Sequence, residues 1–204
     1  MLTVFLSAAE LCQKLFFGQL GRIVCQFVIG GDKTHVLIHG CNCFSTMGAG
    51  IALHIRREFP HAYQADKQLH LDKTQRLGKF SYWKKPDKAA WIINAYTQYD
   101  YRTYSPNDSK DLFSYDTFEQ QMKDVFQFLN KNWQQSNKEL DELVISMPMI
   151  GCGLAGGNPI KMITMFINSF NDVYGKMDKK PKFIIAEKNY QAYLDFCEQL
   201  KSLI

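Results

Sequence analysis

The sequence predicts an α/β fold, a three-layer sandwich with helices on both faces of a mixed, largely parallel sheet. Short apolar runs of strand type alternate along the chain with longer amphipathic stretches, and two of these runs end in glycine-rich loops. This alternation is typical of strands joined by helices, and ligands of such sheets bind where the strands end. We expect a single domain over 1–204, because 204 residues with 46% hydrophobic content can bury one sizeable core.

The first third of the chain predicts one helix and three strands. Ser7 and Glu10 have the spacing of a capping box, which predicts a helix through Phe17 that is stopped by Gly18. A turn over 30–32 separates the second strand from the third. The apolar runs that predict strands lie at 3–6, 22–29 and 35–39.

The middle of the chain predicts two consecutive helices and two strands. The stretch 51–59 follows the first glycine loop as a helix, and Pro60 suits the first turn of a second helix that extends to 70. The strands are expected at 79–83 and 90–96. The polar stretch 97–111 contains Pro106 and Asn107 and therefore predicts a loop.

The last third predicts helices that alternate with buried strands. Ser114 is placed to cap a helix that extends to 133. Asn158 and Pro159 have the N-cap and first-turn chemistry of a second helix, which extends to 170. Strands are expected at 143–147 and 182–186, followed by a last helix from Tyr190.

Two glycine loops carry the functional signal. Glycine lets backbone N–H groups approach an anion closely, and a helix that starts behind the loop adds a positive dipole. Two such loops on neighbouring strands could hold the two phosphates of a diphosphate. The first loop is Met47-Gly48-Ala49-Gly50, and the second is Gly151-Cys152-Gly153-Leu154-Ala155-Gly156-Gly157.

The second loop also fits the G-x-G-x-x-G fingerprint of dinucleotide oxidoreductases, with Glu187 closing the next strand. Its position argues against hydride chemistry, because only one strand is predicted after it. Pro148 between strand and loop is a further departure from the usual tight turn. A nicotinamide enzyme is therefore the less favoured interpretation.

Charge and cysteine content limit the kinds of ligand, metal and partner that the sequence predicts. The formal net charge of +4 suits a small anionic ligand, and the lysines form no dense patch that would indicate a duplex-binding surface. The sequence shows neither a membrane span nor a signal peptide, so we expect a cytoplasmic protein with reduced thiols. Cys41, Cys43 and Cys152 do not have a typical zinc spacing, and we expect neither a metal nor a cofactor.

The two loops together resemble those of the macrodomain family, whose members bind ADP-ribose, and the resemblance covers nearly the whole chain. The segment His39-Gly40-Cys41-Asn42 stands where the family has Asn-Ala-Ala-Asn, and 47–52 and 148–157 look like its two phosphate loops. The chain is most similar to the subgroup of stand-alone ADP-ribose 1″-phosphate phosphatases, whose members carry His-x-Cys-Asn before a glycine-rich loop. Residues 93–99 also resemble a segment of that subgroup.

The resemblance implies a ligand-binding set in which N–H groups of the two loops hold the diphosphate. Asp32 matches the family residue that contacts the adenine amine, although it also suits a hairpin turn. Tyr96 and Tyr99 are expected either to stack on adenine or to fill the core. The implied ligand-binding residues are Asp32, Cys41, Gly48, Ala49, Gly50, Ile51, Ala52, Tyr96, Pro148, Ile150, Gly151, Cys152, Gly153, Leu154 and Ala155.

The resemblance also implies a catalytic set beside the distal ribose. His39 has the unperturbed pKa for acid or base work near neutrality, and Asn42 can donate to and accept from ribose hydroxyls. Relatives that hydrolyse ADP-ribosyl esters carry an Asp where this chain has Ala155, and some use a lysine for which Lys67 is a plausible equivalent.

The expected activity is hydrolysis of an ADP-ribose derivative, first of all removal of the phosphate from ADP-ribose 1″-phosphate. The alternatives are an ADP-ribosyl hydrolase acting on ester- or nucleic-acid-linked ADP-ribose and a non-catalytic ADP-ribose-binding module. The expected partner is a small-molecule ADP-ribose derivative or, as an alternative, an ADP-ribosylated macromolecule. We expect a monomer, with no membrane and no obligate nucleic acid partner.

Overall fold

A computed structural model describes residues 35–86, 90–101, 112–135 and 138–186. Within these ranges one sheet contains the strands β1 (Val36–Asn42), β2 (Phe80–Lys84), β3 (Trp91–Gln98), β4 (Val144–Pro148) and β5 (Lys182–Ala186). The helices are α1 (Gly50–Glu58), α2 (Pro60–Lys67), α3 (Lys73–Arg76), α4 (Tyr115–Gln134) and α5 (Pro159–Tyr174), with a short 3-10 helix at Leu140–Glu142. The strands expected at 3–6 and 22–29, the helices expected over 7–17 and from Tyr190, and the turn at 30–32 lie outside the described residues.

The strands are arranged in the order β2-β3-β1-β4-β5. β1 is parallel to both β3 and β4, β4 is parallel to β5, and only β2 is antiparallel to its neighbour. The carboxyl ends of β1, β3 and β4 therefore meet at one edge of the sheet, which we call the C-terminal edge. The mixed, largely parallel sheet predicted from the sequence is confirmed.

Helices cover the two faces of this sheet. Val36 and Ile38 lie in the cluster that includes the apolar faces of α4 and α5. Leu37, which points the other way because side chains alternate along a strand, packs with Ile55 of α1 and Ala62 of α2. The result is the three-layer sandwich expected from the sequence.

Local sequence signals account for some of the helix boundaries. The Asn158 side chain accepts a hydrogen bond of 2.9 Å from the Lys161 amide, and Pro159 occupies the first turn of α5 as predicted. α2 ends at Lys67, three residues earlier than expected. The short α3 was not predicted, although Asp72 and Gln75 form a capping box at its start. In the described part of the chain, none of the helices has the length and apolarity needed to cross a bilayer.

Candidate ligand-binding site

The two glycine loops lie side by side at the C-terminal edge. Each follows one of two adjacent parallel strands, β1 and β4. The strands approach so closely that a Cβ atom placed on Gly40 would lie 3.1 Å from Ile150 Cγ2 and 2.9 Å from Thr97 Oγ1. Glycine at position 40 thus allows the start of the second loop to pack against the strand that leads to the first.

The first loop presents main-chain amides that have no acceptor among the described residues. Gly48, Ala49 and Gly50 are exposed, and no described group accepts a hydrogen bond from the amides of residues 48–52. Residues 50–52 form the first turn of α1, whose amides have no partner within the helix. Ser45 and Met47 adopt positive φ angles of 54° and 37°, a conformation that is uncommon outside glycine. The loop is therefore held in an unusual shape with its amides available.

The second loop is supported on its inner side by residues 112–113 and is exposed to solvent on its outer side. Gly151 has a φ of 75°, and a Cβ atom there would lie 2.1 Å from the Phe113 ring. The Leu112 amide donates to the Ala155 carbonyl at 3.0 Å. A Cβ atom on Gly153 would meet nothing within 4 Å, and Leu154 is 71% exposed. Residues 112–113 therefore support this loop, a role that the sequence did not reveal.

Some amides of the second loop are used by the loop itself. Cys152 N–H donates to Met149 O at 3.2 Å, and Gly157 N–H donates to Gly151 O at 2.8 Å. Within the described residues, the amides of Gly151, Gly153, Leu154 and Ala155 donate to no acceptor. The resemblance implied that amides of both loops bind the diphosphate. The Cys152 amide instead donates to Met149 within the loop. Pro148 is the last residue of β4.

Asn42 organises the first loop. Its Nδ2 donates to Thr46 Oγ1 at 2.6 Å, and its Oδ1 accepts from the Phe44 amide at 3.0 Å. An asparagine that hydrogen-bonds the backbone two residues on stabilises a turn. The structure thus places Asn42 beside the loop as expected, with its amide group occupied by Thr46 and Phe44.

His39 lies in the core of the structure. The side chain is 0% exposed, and its Nε2–H donates to Asn94 Oδ1 at 2.7 Å. Burial lowers the pKa of His39 to about 4, because desolvation disfavours the imidazolium. The imidazole is therefore neutral near pH 7 and has no exposed atom with which to reach a ligand. The structure thus gives His39 a hydrogen-bonding contact in the core, and its acid–base role stays a prediction.

A buried cluster of polar side chains lies behind the first loop. Asp66 Oδ1 accepts hydrogen bonds from Ser45 Oγ at 2.8 Å and from Tyr96 OH at 2.7 Å. Arg76 Nη1 lies 3.5 Å from the same oxygen, and its Nε donates to the Leu71 carbonyl at 2.9 Å. Asp66 is 0% exposed, and burial raises its pKa against the lowering effect of these partners. The cluster ties the first loop to α2, α3 and β3.

Tyr96 and Cys41 belong to the core. Tyr96 is 0% exposed, and both side chains pack in the cluster with Cys43 and Met47. Desolvation raises the pKa of Tyr96 and that of Cys41, so both remain protonated near pH 7. Of the two roles expected for Tyr96, the structure supports core filling and argues against adenine stacking.

The remaining candidates are divided between surface and core. Lys67 is exposed on α2, with its Nζ 5.5 Å from the centre of the Tyr63 ring. Ile51 and Ala52 pack, from the first turn of α1, against the apolar clusters under the first loop. Asp32 lies outside the described residues.

Cys41 and Cys43 are free thiols in this structure. In the portion of the chain that the structure describes, no group of three or more His, Cys, Asp or Glu side chains is arranged to hold a metal ion.

The fold is that of macrodomains. The Oceanobacillus iheyensis macrodomain matches with a TM-score of 0.57 at 15% identity, covering 86% of this chain and 88% of that one. The macrodomain of Mycobacterium tuberculosis DarG matches with a TM-score of 0.54 at 18% identity, covering 77% and 91%. At these identities the likeness establishes the architecture.

Sequence similarity shows the family. The chain is 33% identical over 141 residues to the uncharacterised 17.5 kDa protein of the tk-vs intergenic region of Enterobacteria phage T4. The match covers 68% of this chain and 79% of the phage protein. The chain therefore belongs to the same family as this phage protein. No protein-family model matches it.

Proposed function

We propose that this protein binds ADP-ribose at the C-terminal edge of the sheet and hydrolyses the bond between its distal ribose and an attached group. The observation that carries the proposal is the adjacency of two loops that each present several amides with no described acceptor, those of residues 48–52 and those of Gly151, Gly153, Leu154 and Ala155. A diphosphate offers many oxygen acceptors and two negative charges, which such amides and the start of α1 can satisfy. The macrodomain fold and the sequence resemblance support ADP-ribose as the diphosphate compound.

The reaction that the sequence resemblance favours is removal of the 1″-phosphate. Water adds across the phosphate ester, inorganic phosphate leaves, and ADP-ribose remains. We assign no proton transfer to His39, whose side chain is 0% exposed. We propose that the ammonium group of Lys67 binds the negatively charged phosphate. This ammonium is exposed and lies beside the Tyr63 ring. The Tyr63 ring in turn packs on the apolar cluster that contains Met47 of the first loop.

A second candidate is a non-catalytic module that recognises ADP-ribose on a partner. The burial of His39 favours it, since this histidine was the expected acid or base and the structure assigns it to the core. Both candidates require the same ADP-ribose-binding loops and differ only in whether the bound compound is hydrolysed.

Two assays test the proposal. Isothermal titration calorimetry with ADP-ribose should show one binding site per chain, and absence of binding would reject both candidates. Phosphate release from ADP-ribose 1″-phosphate, lost in Lys67→Ala and kept in the matched surface variant Lys84→Ala, would support the enzyme. Binding without release from phosphorylated, ester-linked or base-linked ADP-ribose would support the module.

A further inference from the structure

One side of the described sheet ends at β2. This strand pairs with β3, and none of the other described strands lies on its far side. At the two ends of the pair, the Tyr96 amide donates to the Lys79 carbonyl at 3.0 Å and the Lys85 amide donates to the Ala90 carbonyl at 2.8 Å. Since hydrogen-bonded and non-hydrogen-bonded pairs alternate along antiparallel strands, residues 79, 81, 83 and 85 direct their backbone groups towards β3.

The backbone groups of the alternate residues point away from the sheet. These are the N–H and C=O groups of Phe80, Tyr82 and Lys84, and no described group forms a hydrogen bond with them. A row of unpaired backbone groups on an outer strand is a template on which another strand can pair. We call residues 79–85, with this outward-facing backbone, the β2 surface.

Partly exposed aromatic rings lie on both faces of the β2 surface. Tyr82 is 48% exposed, and its ring centre lies 4.5 Å from that of Phe128 on α4. Trp83 points to the opposite face, as successive strand residues do, and its half-buried ring is stacked with His61 of α2 at 5.9 Å. An added strand therefore has an aromatic ring of β2 beside it on each face. Such rings pair favourably with β-branched side chains across a sheet.

The charge of the β2 surface is positive. Lys79 and Lys84 are exposed, and Lys85 is half-buried. Among the described residues, no carboxylate forms an ion pair with any of these three lysines. In the sequence that follows, the charges of Asp87 and Lys88 cancel, so an excess of positive charge remains. The side chains of this surface thus favour a partner that carries carboxylates.

We propose that the β2 surface binds an extended acidic segment of another protein, which pairs with β2 as an additional antiparallel strand. Main-chain hydrogen bonds to the three outward-facing residues supply affinity, and carboxylates opposite Lys79, Lys84 and Lys85 supply specificity. β-branched side chains suit the positions opposite Tyr82 and Trp83. The glycine loops follow other strands, β1 and β4, so this inference goes beyond the proposed ADP-ribose function.

A second copy of this chain fits the β2 surface less well. If two β2 strands paired antiparallel over all five residues, Lys79 of one copy would lie opposite Lys85 of the other. Like charges directly opposite each other destabilise a strand pair. Lysines on an outer strand therefore protect against self-association, whereas the same lysines attract a strand that carries carboxylates.

The test uses a fluorescein-labelled peptide whose sequence follows the proposed pairing, Glu-Glu-Val-Ile-Thr-Val-Glu, and measures its binding by fluorescence anisotropy. Its glutamates lie opposite Lys85, Lys84 and Lys79. Its first valine and its isoleucine lie opposite Trp83 and Tyr82. The wild type should bind this peptide saturably, and the same peptide with glutamine in place of each glutamate should bind at least about threefold more weakly.

N-methylation of the peptide separates strand pairing from general electrostatic attraction. A methyl group on the isoleucine nitrogen blocks the hydrogen bond to the Tyr82 carbonyl and should raise the peptide Kd at least about fivefold. A methyl group on the threonine nitrogen is the matched control, because this nitrogen points away from β2. The control peptide has the same charge and side chains and should bind like the unmodified peptide.

Variants of the protein locate the site. Lys84→Glu should raise the peptide Kd about threefold or more, because an attraction becomes a repulsion. Tyr82→Ala should raise it about twofold or more through loss of the cross-strand ring contact. Lys176→Glu makes the same change of net charge at an exposed residue after α5 and should keep the wild-type affinity. The ADP-ribose Kd, measured by calorimetry, should not change in any of the three variants.

Four results would overturn the proposal. Absence of peptide binding to the wild type would reject the site, and equal affinities of the two N-methylated peptides would reject strand pairing. An equal loss in Lys176→Glu would show general charge attraction. A wild-type dimer in sedimentation velocity that becomes a monomer in Tyr82→Ala would assign the β2 surface to a second copy. None of these results depends on ADP-ribose binding, whose absence would reject the proposed function alone.

Discussion

Ser45 Oγ donates a hydrogen bond of 2.8 Å to Asp66 Oδ1, and this contact joins the first glycine loop to α2 inside the protein. Ser45 has a positive φ of 54°, a conformation that costs free energy unless its surroundings hold it. Asp66 is itself fixed by Tyr96 OH and by the guanidinium of Arg76. The shape of the exposed loop is therefore maintained by charged and polar groups in the interior.

Replacement of Asp66 should destabilise the whole fold. Asp66→Ala leaves the buried Arg76 guanidinium without its carboxylate, and loss of one partner of a buried pair costs about 3–5 kcal/mol in unfolding free energy. Asp172→Ala is the control, since it removes an exposed carboxylate paired with Lys123 and should cost about 1 kcal/mol or less. Urea unfolding measures the free energy of unfolding of both variants. Equal losses in the two variants would contradict the structural role of Asp66.

The buried His39 should make stability depend on pH. Its pKa is about 4 in the folded protein and about 6.5 when unfolded, so the unfolded chain takes up a proton first as the pH falls. The unfolding free energy should therefore decrease by about 2 kcal/mol from this residue between pH 7 and pH 5. Well below pH 4, stability should change no further through His39, because both states are then protonated.

His39→Gln removes the titrating group and isolates its contribution. Chemical unfolding at pH 7, 6 and 5 should show a shallower decline for this variant than for the wild type, while other groups contribute equally to both. The two profiles would be parallel if His39 were exposed and of ordinary pKa, and the burial inferred here would then be wrong.

Charge introduced at Gly153 should abolish ADP-ribose binding without unfolding the protein. A Cβ atom there meets nothing within 4 Å, so Gly153→Glu can be accommodated and would place like charge beside the diphosphate. Gly153→Ala is the control and should keep most of the affinity measured by calorimetry. Gly50→Glu is a less specific test of binding, because Gly50 has a φ of 55° and any side chain there also adds backbone strain. Unchanged affinity in Gly153→Glu would contradict the loop assignment.

A methyl group on Gly40 should disturb both loops at once. The added atom would crowd Thr97 Oγ1 and Ile150 Cγ2, and overpacking of this kind costs about 1–3 kcal/mol. Gly48→Ala is the matched control, since its nearest described neighbour is the Thr46 carbonyl at 4.0 Å. Thermal unfolding of the two variants should differ by several degrees. Equal melting temperatures would show that the strands are less closely packed.

The sequence predicted the sheet and helices well where the signal was local. Asn158 and Pro159 begin α5 as expected, and each glycine loop follows a strand. The strong alternation of element types sufficed to predict the layered architecture. The short α3 was missed because four residues are too few to show a helical period.

The side-chain roles were harder to predict because they depend on contacts between distant segments. β1 is buried on both faces, so its apolar run could not show that His39 points towards Asn94, 55 residues away in sequence. Gly151 was recognised, whereas the Phe113 ring that explains it comes from another part of the chain. The polar Asn94 within the apolar run 92–95 was the one available sign of a buried hydrogen-bonding partner.

The most direct measurement is a titration of ¹⁵N-labelled protein with ADP-ribose, followed by amide chemical shifts. If main-chain amides of the two loops hold the diphosphate, the largest shifts should occur at residues 48–51 and at Gly153, Leu154 and Ala155 together. Shifts confined to one loop, or concentrated away from the C-terminal edge, would contradict a diphosphate site formed by both.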